Sequence, residues 1–148
     1  MPRGCPWQKL CAPGEAYVDA LNGLRENPLP FAKLLGIELI SVSPELIVGQ
    51  LSVRDELCTL PATAHGGAIM TLADTLGAIG AWVNLPEGGR TTTLESKTNF
   101  LGSAAVGTIL KGEATPIHRG RRTSVWQTRI CTGDGKLVAL TTQTQLTL

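Results

Sequence analysis

Residues 65–85, from His65 to Leu85, read HGGAIMTLADTLGAIGAWVNL. The stretch is apolar nearly all round, and its only ionisable side chains are His65 and Asp74. Its length is close to that of a membrane span. Against a span stand Asp74, Thr71, Thr75, Asn84, the glycines Gly66, Gly67, Gly77 and Gly80, and the lack of charged flanks. A helix that is apolar on every side must be covered on every side. The stretch therefore predicts one long helix buried in the middle of a domain.

Outward from the helix the period changes to that of strands. On the N-terminal side, Ile37–Val42 and Leu46–Arg54 are rich in β-branched residues, and the turn signal Ser43-Pro44-Glu45 separates them. On the C-terminal side the expected strands are Thr91–Phe100, Val106–Thr115, Thr123–Cys131 and Leu137–Leu148. Gly102-Ser103, His118-Arg119-Gly120 and Gly133-Asp134-Gly135 divide them, the last a hairpin signal because Asp-Gly suits φ > 0 turns. The final strand alternates, with Val138, Leu140, Thr142, Thr144 and Leu146 on one face. Ahead of the first strand, Glu15–Asn27 spaces Tyr17, Val18, Leu21 and Leu24 as a helix does, and Pro28 and Pro30 end it. Phe31–Leu35 forms a further short turn of helix closed by Gly36. The fold class is α+β: an antiparallel β-sheet wrapped around one long central helix. Residues 1–30 form an N-terminal tail and helix, and residues 31–148 the domain.

Composition narrows the function. The chain has 148 residues, 43% hydrophobic and 17% charged, enough for one core without a disulfide or metal staple. A formal charge of +1 and 4% aromatic residues argue against a general nucleic-acid binder. The cysteines at 5, 11, 58 and 131 show no C-x-x-C spacing, and there are only two histidines, so no metal site is expected. Met1–Trp7 lacks the apolar run of a signal peptide, and with free thiols this predicts a cytoplasmic protein.

Two features carry chemistry. Asp74 lies mid-helix with Met70, Thr71, Gly77 and Ala78 at i±3 and i±4, so no cation on the helix pairs with it. A carboxylate in an apolar helix costs several kcal/mol unless paired or wet. It is either bonded to Thr71 or Thr75 or exposed on a polar strip, or else held at a cleft for nucleophilic or general-base work. His65-Gly66-Gly67 is the second feature. His65 stands at the N-cap position, and the glycines leave the first backbone N–H groups open to an anion or a developing oxyanion. Close helix–strand packing would select the same glycines.

Taken with their surroundings, these residues resemble a known family. The run Thr63-Ala-His-Gly-Gly-Ala-Ile-Met-Thr-Leu-Ala-Asp-Thr-Leu-Gly77 is similar to the motif of hotdog-fold acyl-CoA thioesterases of the phenylacetate-degradation, PaaI-like branch. Phe31–Ile37, Thr93–Leu101, Gly120–Trp126 and Gly135–Ala139 resemble the family's short first helix, post-helix strand and last hairpin. The resemblance implies a hotdog fold and hydrolysis of an aryl- or acyl-CoA thioester without a cofactor. It implies that the Gly66 N–H polarises the thioester carbonyl, that Asp74 is nucleophile or general base, and that His65 orients the thioester. Thr92 falls where the family often has a Ser or Thr that holds water or the carboxylate. Where the family usually carries Asn or Gln, six residues before the His, this chain has Thr59. Gly67, Arg90, Thr91, Thr93, His118, Arg119, Arg121 and Arg122 complete the expected substrate and CoA contacts; the arginines suit phosphate. Two other classes stay open, a hotdog hydratase or dehydratase and a non-catalytic acyl-CoA binding or sensing module.

Geometry adds a partner. Gly66 and Asp74 are eight residues apart, about 12 Å along a helix. One reacting centre must lie about 3 Å from both its oxyanion donor and its attacking group. Both groups serve one thioester only if they come from different subunits, as when two antiparallel helices meet across a two-fold axis. A homodimer with shared sites is expected, with a dimer-of-dimers tetramer as the larger assembly. Neither nucleic acid nor a membrane is expected as a partner.

Overall fold

The computed structural model describes residues 16–86 and 88–148. The N-terminal tail, with Cys5 and Cys11, lies outside the described residues. Helix α3 spans Gly66–Trp82 and stops short of Leu85. The Asn84 side-chain amide donates to the carbonyl oxygens of Gly80, at 2.8 Å, and Pro44, at 3.1 Å. It thereby takes up a helix-end carbonyl that has no partner within the helix. No helix among the described residues is long and apolar enough to cross a membrane.

Around α3 curves one antiparallel sheet of six strands: β1 (Ile37–Val42), β2 (Ile47–Ser52), β5 (Thr91–Phe100), β6 (Ile109–Arg119), β7 (Thr123–Thr132) and β8 (Leu137–Thr147). Their spatial order is β1-β2-β6-β7-β8-β5, so β5 is one edge. The central helix and the strand succession are those expected from the sequence. Strand β6 differs, beginning at Ile109 rather than Val106 and running on through His118 and Arg119. Its expected first residues serve the loop instead: Val106 N–H donates to the Ala62 carbonyl and Gly107 N–H to that of Val53. A register shift between Pro116 and His118 lets the strand pass a residue that cannot donate to the ladder. The sequence reading also lacked a small hairpin, β3 (Cys58–Thr59) and β4 (Thr63–Ala64), which follows a 3-10 turn at Asp55–Leu57. Two-residue strands carry no period to detect.

Leu72 and Leu76 of α3 pack with Ile47, Leu51, Leu110, Trp126 and Ile130 of the sheet, all of them 0 or 1% exposed. The helix lies close enough that a Cβ at Gly80 would fall 2.6 Å from the Trp126 ring. Helix α1 (Ala16–Glu26) and helix α2 (Pro30–Leu35) cover β1. Leu24 of α1 joins the same core as Leu35 and Ile37, and Arg25 donates to the Leu39 carbonyl at 3.0 Å. The described part of the N-terminal segment is thus packed into the domain rather than beside it.

The last strand holds a surprise. Beyond Val138, the row with Leu140, Thr142, Thr144 and Leu146 is only half-buried. The row facing the helix is Ala139, Thr141, Gln143 and Gln145, each 0 or 1% exposed. Three polar side chains therefore sit in the core against α3.

Candidate active site

Two of those side chains lead to Asp74, Gln143 directly and Gln145 through Thr93. The carboxylate is half-buried between α3, β5 and β8. Its Oδ1 accepts from the Thr93 hydroxyl at 2.9 Å and from the Gln143 amide at 3.2 Å. The same Gln143 nitrogen lies 3.2 Å from the Asp74 backbone carbonyl. Oδ2 accepts no hydrogen bond from any described residue. Gly77, one turn beyond Asp74, makes room, since a Cβ there would stand 2.4 Å from the Gln143 amide carbon.

The Thr93 proton has a fixed direction. Gln145 donates its amide to Thr93 Oγ1 at 2.7 Å, and its Oε1 accepts from the Thr91 hydroxyl at 3.0 Å. An oxygen already accepting from Gln145 turns its own hydrogen toward the carboxylate. A directed series results: Thr91 to Gln145 to Thr93 to Asp74. A register shift between Thr93 and Glu95 places Thr93 and Ser96 on the same, helix-facing side of β5. Of Thr91 and Thr93, both expected among the substrate contacts, Thr93 bonds the carboxylate and Thr91 bonds Gln145. Thr92, expected beside the carboxylate, is exposed on the opposite face of β5, and its neighbour Thr93 makes that contact. Neither Thr71 nor Thr75 bonds the Asp74 side chain; the Thr71 hydroxyl donates to the Gly67 carbonyl.

At the helix N-terminus, His65 Nδ1 accepts from the Gly67 N–H at 2.9 Å. The Gly67 N–H, expected among the substrate contacts, is thus engaged in the cap. The Gly66 N–H donates to no described residue, leaving one open donor on the positive end of the helix. Gly66 lies against the Phe100 ring, 3.0 Å from the place a Cβ would occupy. Thr59 is exposed on β3, paired with Thr63, and its hydroxyl makes no hydrogen bond to a described residue.

The basic cluster divides. Arg119 forms an ion pair with Glu45 and a 3.4 Å hydrogen bond to Asn84. That guanidinium holds the Glu45 carboxyl below its ordinary pKa. Arg121 and Arg122 are exposed at the β6–β7 turn, and Arg90 is exposed beside them at the same end of the sheet. Backbone bonds from Thr147 to Arg122 and between Arg90 and Leu148 join these segments.

Gln143 and Gln145 are the site residues that the sequence reading missed. Their signal is faint: two amides two residues apart, hence on one face, in a strand otherwise made of Thr and aliphatic residues.

This fold, with its mid-helix carboxylate and open helix N-terminus, is that of a hotdog thioesterase. Residues 62–139 match the thioesterase superfamily, and the chain belongs to it. The 1,4-dihydroxy-2-naphthoyl-CoA hydrolase of Listeria monocytogenes is 31% identical over 72% of this chain and 85% of its own. The PaaI protein of E. coli, from the phenylacetic acid degradation operon, superposes with a TM-score of 0.81. It is 26% identical, across 89% of this chain and 93% of that one. A thioesterase of Haemophilus influenzae superposes with a TM-score of 0.79 and 29% identity, across 88% and 89% of the two chains.

Proposed function

We propose that the protein hydrolyses a CoA thioester, with Asp74 Oδ2 as the attacking oxygen or as the base that takes a proton from water. The observation that carries this reading is the Asp74 carboxylate itself, held by two donors on Oδ1 and free at Oδ2. Attack on the thioester carbon moves the carbonyl electrons onto oxygen, where a Gly66 N–H stabilises them. Re-formation of the carbonyl breaks the C–S bond, and CoA leaves as its thiolate. If Asp74 attacks, water then cleaves the mixed anhydride; if it is the base, its proton passes to the thiolate. His65 Nε2 is free to orient the substrate, since Nδ1 is engaged. Arg90, Arg121 and Arg122 are candidates for the CoA phosphates, with His118 beside them. The Listeria relative and the E. coli neighbour favour an aromatic acyl group.

The reading includes a homodimer. Within one chain Gly66 touches Phe100 while Asp74 is bonded to Thr93, at opposite ends of β5. A second subunit must supply the Gly66 for each Asp74. The ten-residue edge strand β5, with Leu94 and Phe100 more than half exposed, suits pairing with a second copy. Cys58 and Cys131 form no disulfide among the described residues, in keeping with the expected cytoplasmic placement.

Complementation of two inactive variants tests this. Gly66→Pro removes one N–H; Pro is tolerated at a first helical position, and His65, at φ −65° and ψ 138°, already has the extended backbone that a following Pro requires. Asp74→Ala removes the carboxylate. Each variant alone should lose at least ~100-fold in kcat for CoA release from a panel of acyl- and aryl-CoAs. Unfolded and refolded together, half the dimers are mixed and each mixed dimer holds one intact site. About a quarter of wild-type activity should return. No gain over the separate variants, with wild type refolding normally, would refute the shared site. Near-wild-type activity of Asp74→Ala would refute the chemistry.

A further inference from the structure

The β8 glutamines are buried where an apolar side chain would be expected. Gln143 is 0% exposed and Gln145 is 1% exposed. Among the described residues Gln143 Oε1 has no hydrogen-bond partner, and neither does Ser96 Oγ on the cross-strand neighbour. An unsatisfied buried acceptor is a cost that a methionine of similar shape would not carry. What the amide does achieve is the bond to Asp74 Oδ1 and to the Asp74 carbonyl. Gln145 makes no hydrogen bond to Asp74 and acts one residue removed, by turning the Thr93 hydroxyl toward Oδ1.

Resting on the thioesterase reading above, we infer that Gln143 and Gln145 are positioning residues that commit Asp74 Oδ1 to hydrogen bonds and so present Oδ2 to the substrate. Gln143 acts directly. Gln145 acts only through Thr93. The two routes are independent up to the carboxylate, and this independence separates positioning from packing.

The experiment is a pair of double-variant cycles on the full-length protein. Measured are kcat and KM with a CoA thioester that the wild type hydrolyses, and Tm. Gln143→Met and Gln145→Met each keep the side-chain volume and remove the donor. Gln143→Met should lower kcat about tenfold or more, as expected for loss of a hydrogen bond to a charged group, and Gln145→Met, which loses a bond to a neutral hydroxyl, about three- to tenfold, each with KM within about twofold. In a Thr93→Val background, Gln145→Met should have almost no further effect on kcat, because its only route is gone. Gln143→Met should still lower kcat about tenfold in that background. Multiplicative losses for Gln145→Met and Thr93→Val would overturn the series, as would kcat losses that track Tm across all variants. Asp74→Asn in the same assay separates the two levels of the argument. If it is inactive while both Gln→Met variants keep full kcat, the positioning role fails and the function stands. If it is active, the thioesterase role of Asp74 fails first.

Discussion

Two glycines one turn apart on α3 make opposite predictions when changed to alanine. Alanine in place of glycine in a helix interior is favoured by about 1 kcal/mol. At Gly80 the added Cβ would lie 2.6 to 2.8 Å from three atoms of the Trp126 ring. That ring is fully buried, and its indole N–H is bonded to Ser124 Oγ at 3.1 Å, so it has little freedom to retreat. Overpacking of this kind costs roughly 1–3 kcal/mol, and a rigid partner puts the site at the upper end. The net loss for Gly80→Ala is then about 2 kcal/mol, or a fall in Tm of about 4–8 °C for a domain of this size. At Gly77 the Cβ would fall 2.4 to 2.7 Å from the Gln143 amide, the far end of a flexible chain. The amide can swing away, so the backbone need not move, but its bonds to Asp74 break. Their loss, about 1–2 kcal/mol, nearly cancels the gain in propensity. Gly77→Ala should therefore melt within about 2 °C of wild type, by the same conversion, yet lose about tenfold in kcat, as for loss of a hydrogen bond to a charged group. Gly80→Ala should melt early and keep most of its kcat below its Tm. Circular-dichroism melts at one fixed protein concentration and steady-state thiol release read both quantities. Wild-type kcat in Gly77→Ala would show that displacing the amide is harmless and would refute this account of Gly77. A Gly80→Ala protein as stable as wild type would refute the close approach of helix and ring.

Replacing Arg121 and Arg122 by Gln should raise KM for a CoA thioester but not for the corresponding pantetheine thioester, and added salt should shrink the difference between wild type and variant. Equal effects on both substrates would make the pair a solvated corner of the hairpin. The Glu45 carboxyl, held low by Arg119, should titrate below a free glutamate, and Arg119→Gln should bring it back, as followed by NMR. Because the folded value is the lower one, whatever this exposed pair adds to stability is present above the ordinary glutamate value and is lost as pH falls through the folded value.

How much of this was legible follows from the range of each interaction. The central helix was readable because an apolar stretch without a polar face leaves no alternative to burial. The strands were readable from their period and the Gly-Asp-Gly turn, and His65 as N-cap from its place before two glycines. Asp74 was legible as an anomaly, because no cation stands within one turn of it. Its partners were not. Thr93 is 19 positions away and Gln143 is 69 positions away, and neither spacing has a periodic signature. The choice of Thr92 over Thr93 erred by one residue, which on a strand exchanges one face of the sheet for the other. Arg119 looked like an open cation because Glu45 and Asn84 are brought to it only by the fold. The polar row of β8 was hidden for a further reason. Alternation was sought in apolar residues, and Leu140 and Leu146 mark the half-buried face, while the buried face carries Thr141, Gln143 and Gln145. Polar side chains in a core weaken a fold unless every group is paired, and among the described residues Gln143 Oε1 finds no partner. A strand that buries amides on its helix side and leaves leucines half-exposed on the other is organised around the carboxylate it faces, at some expense to packing.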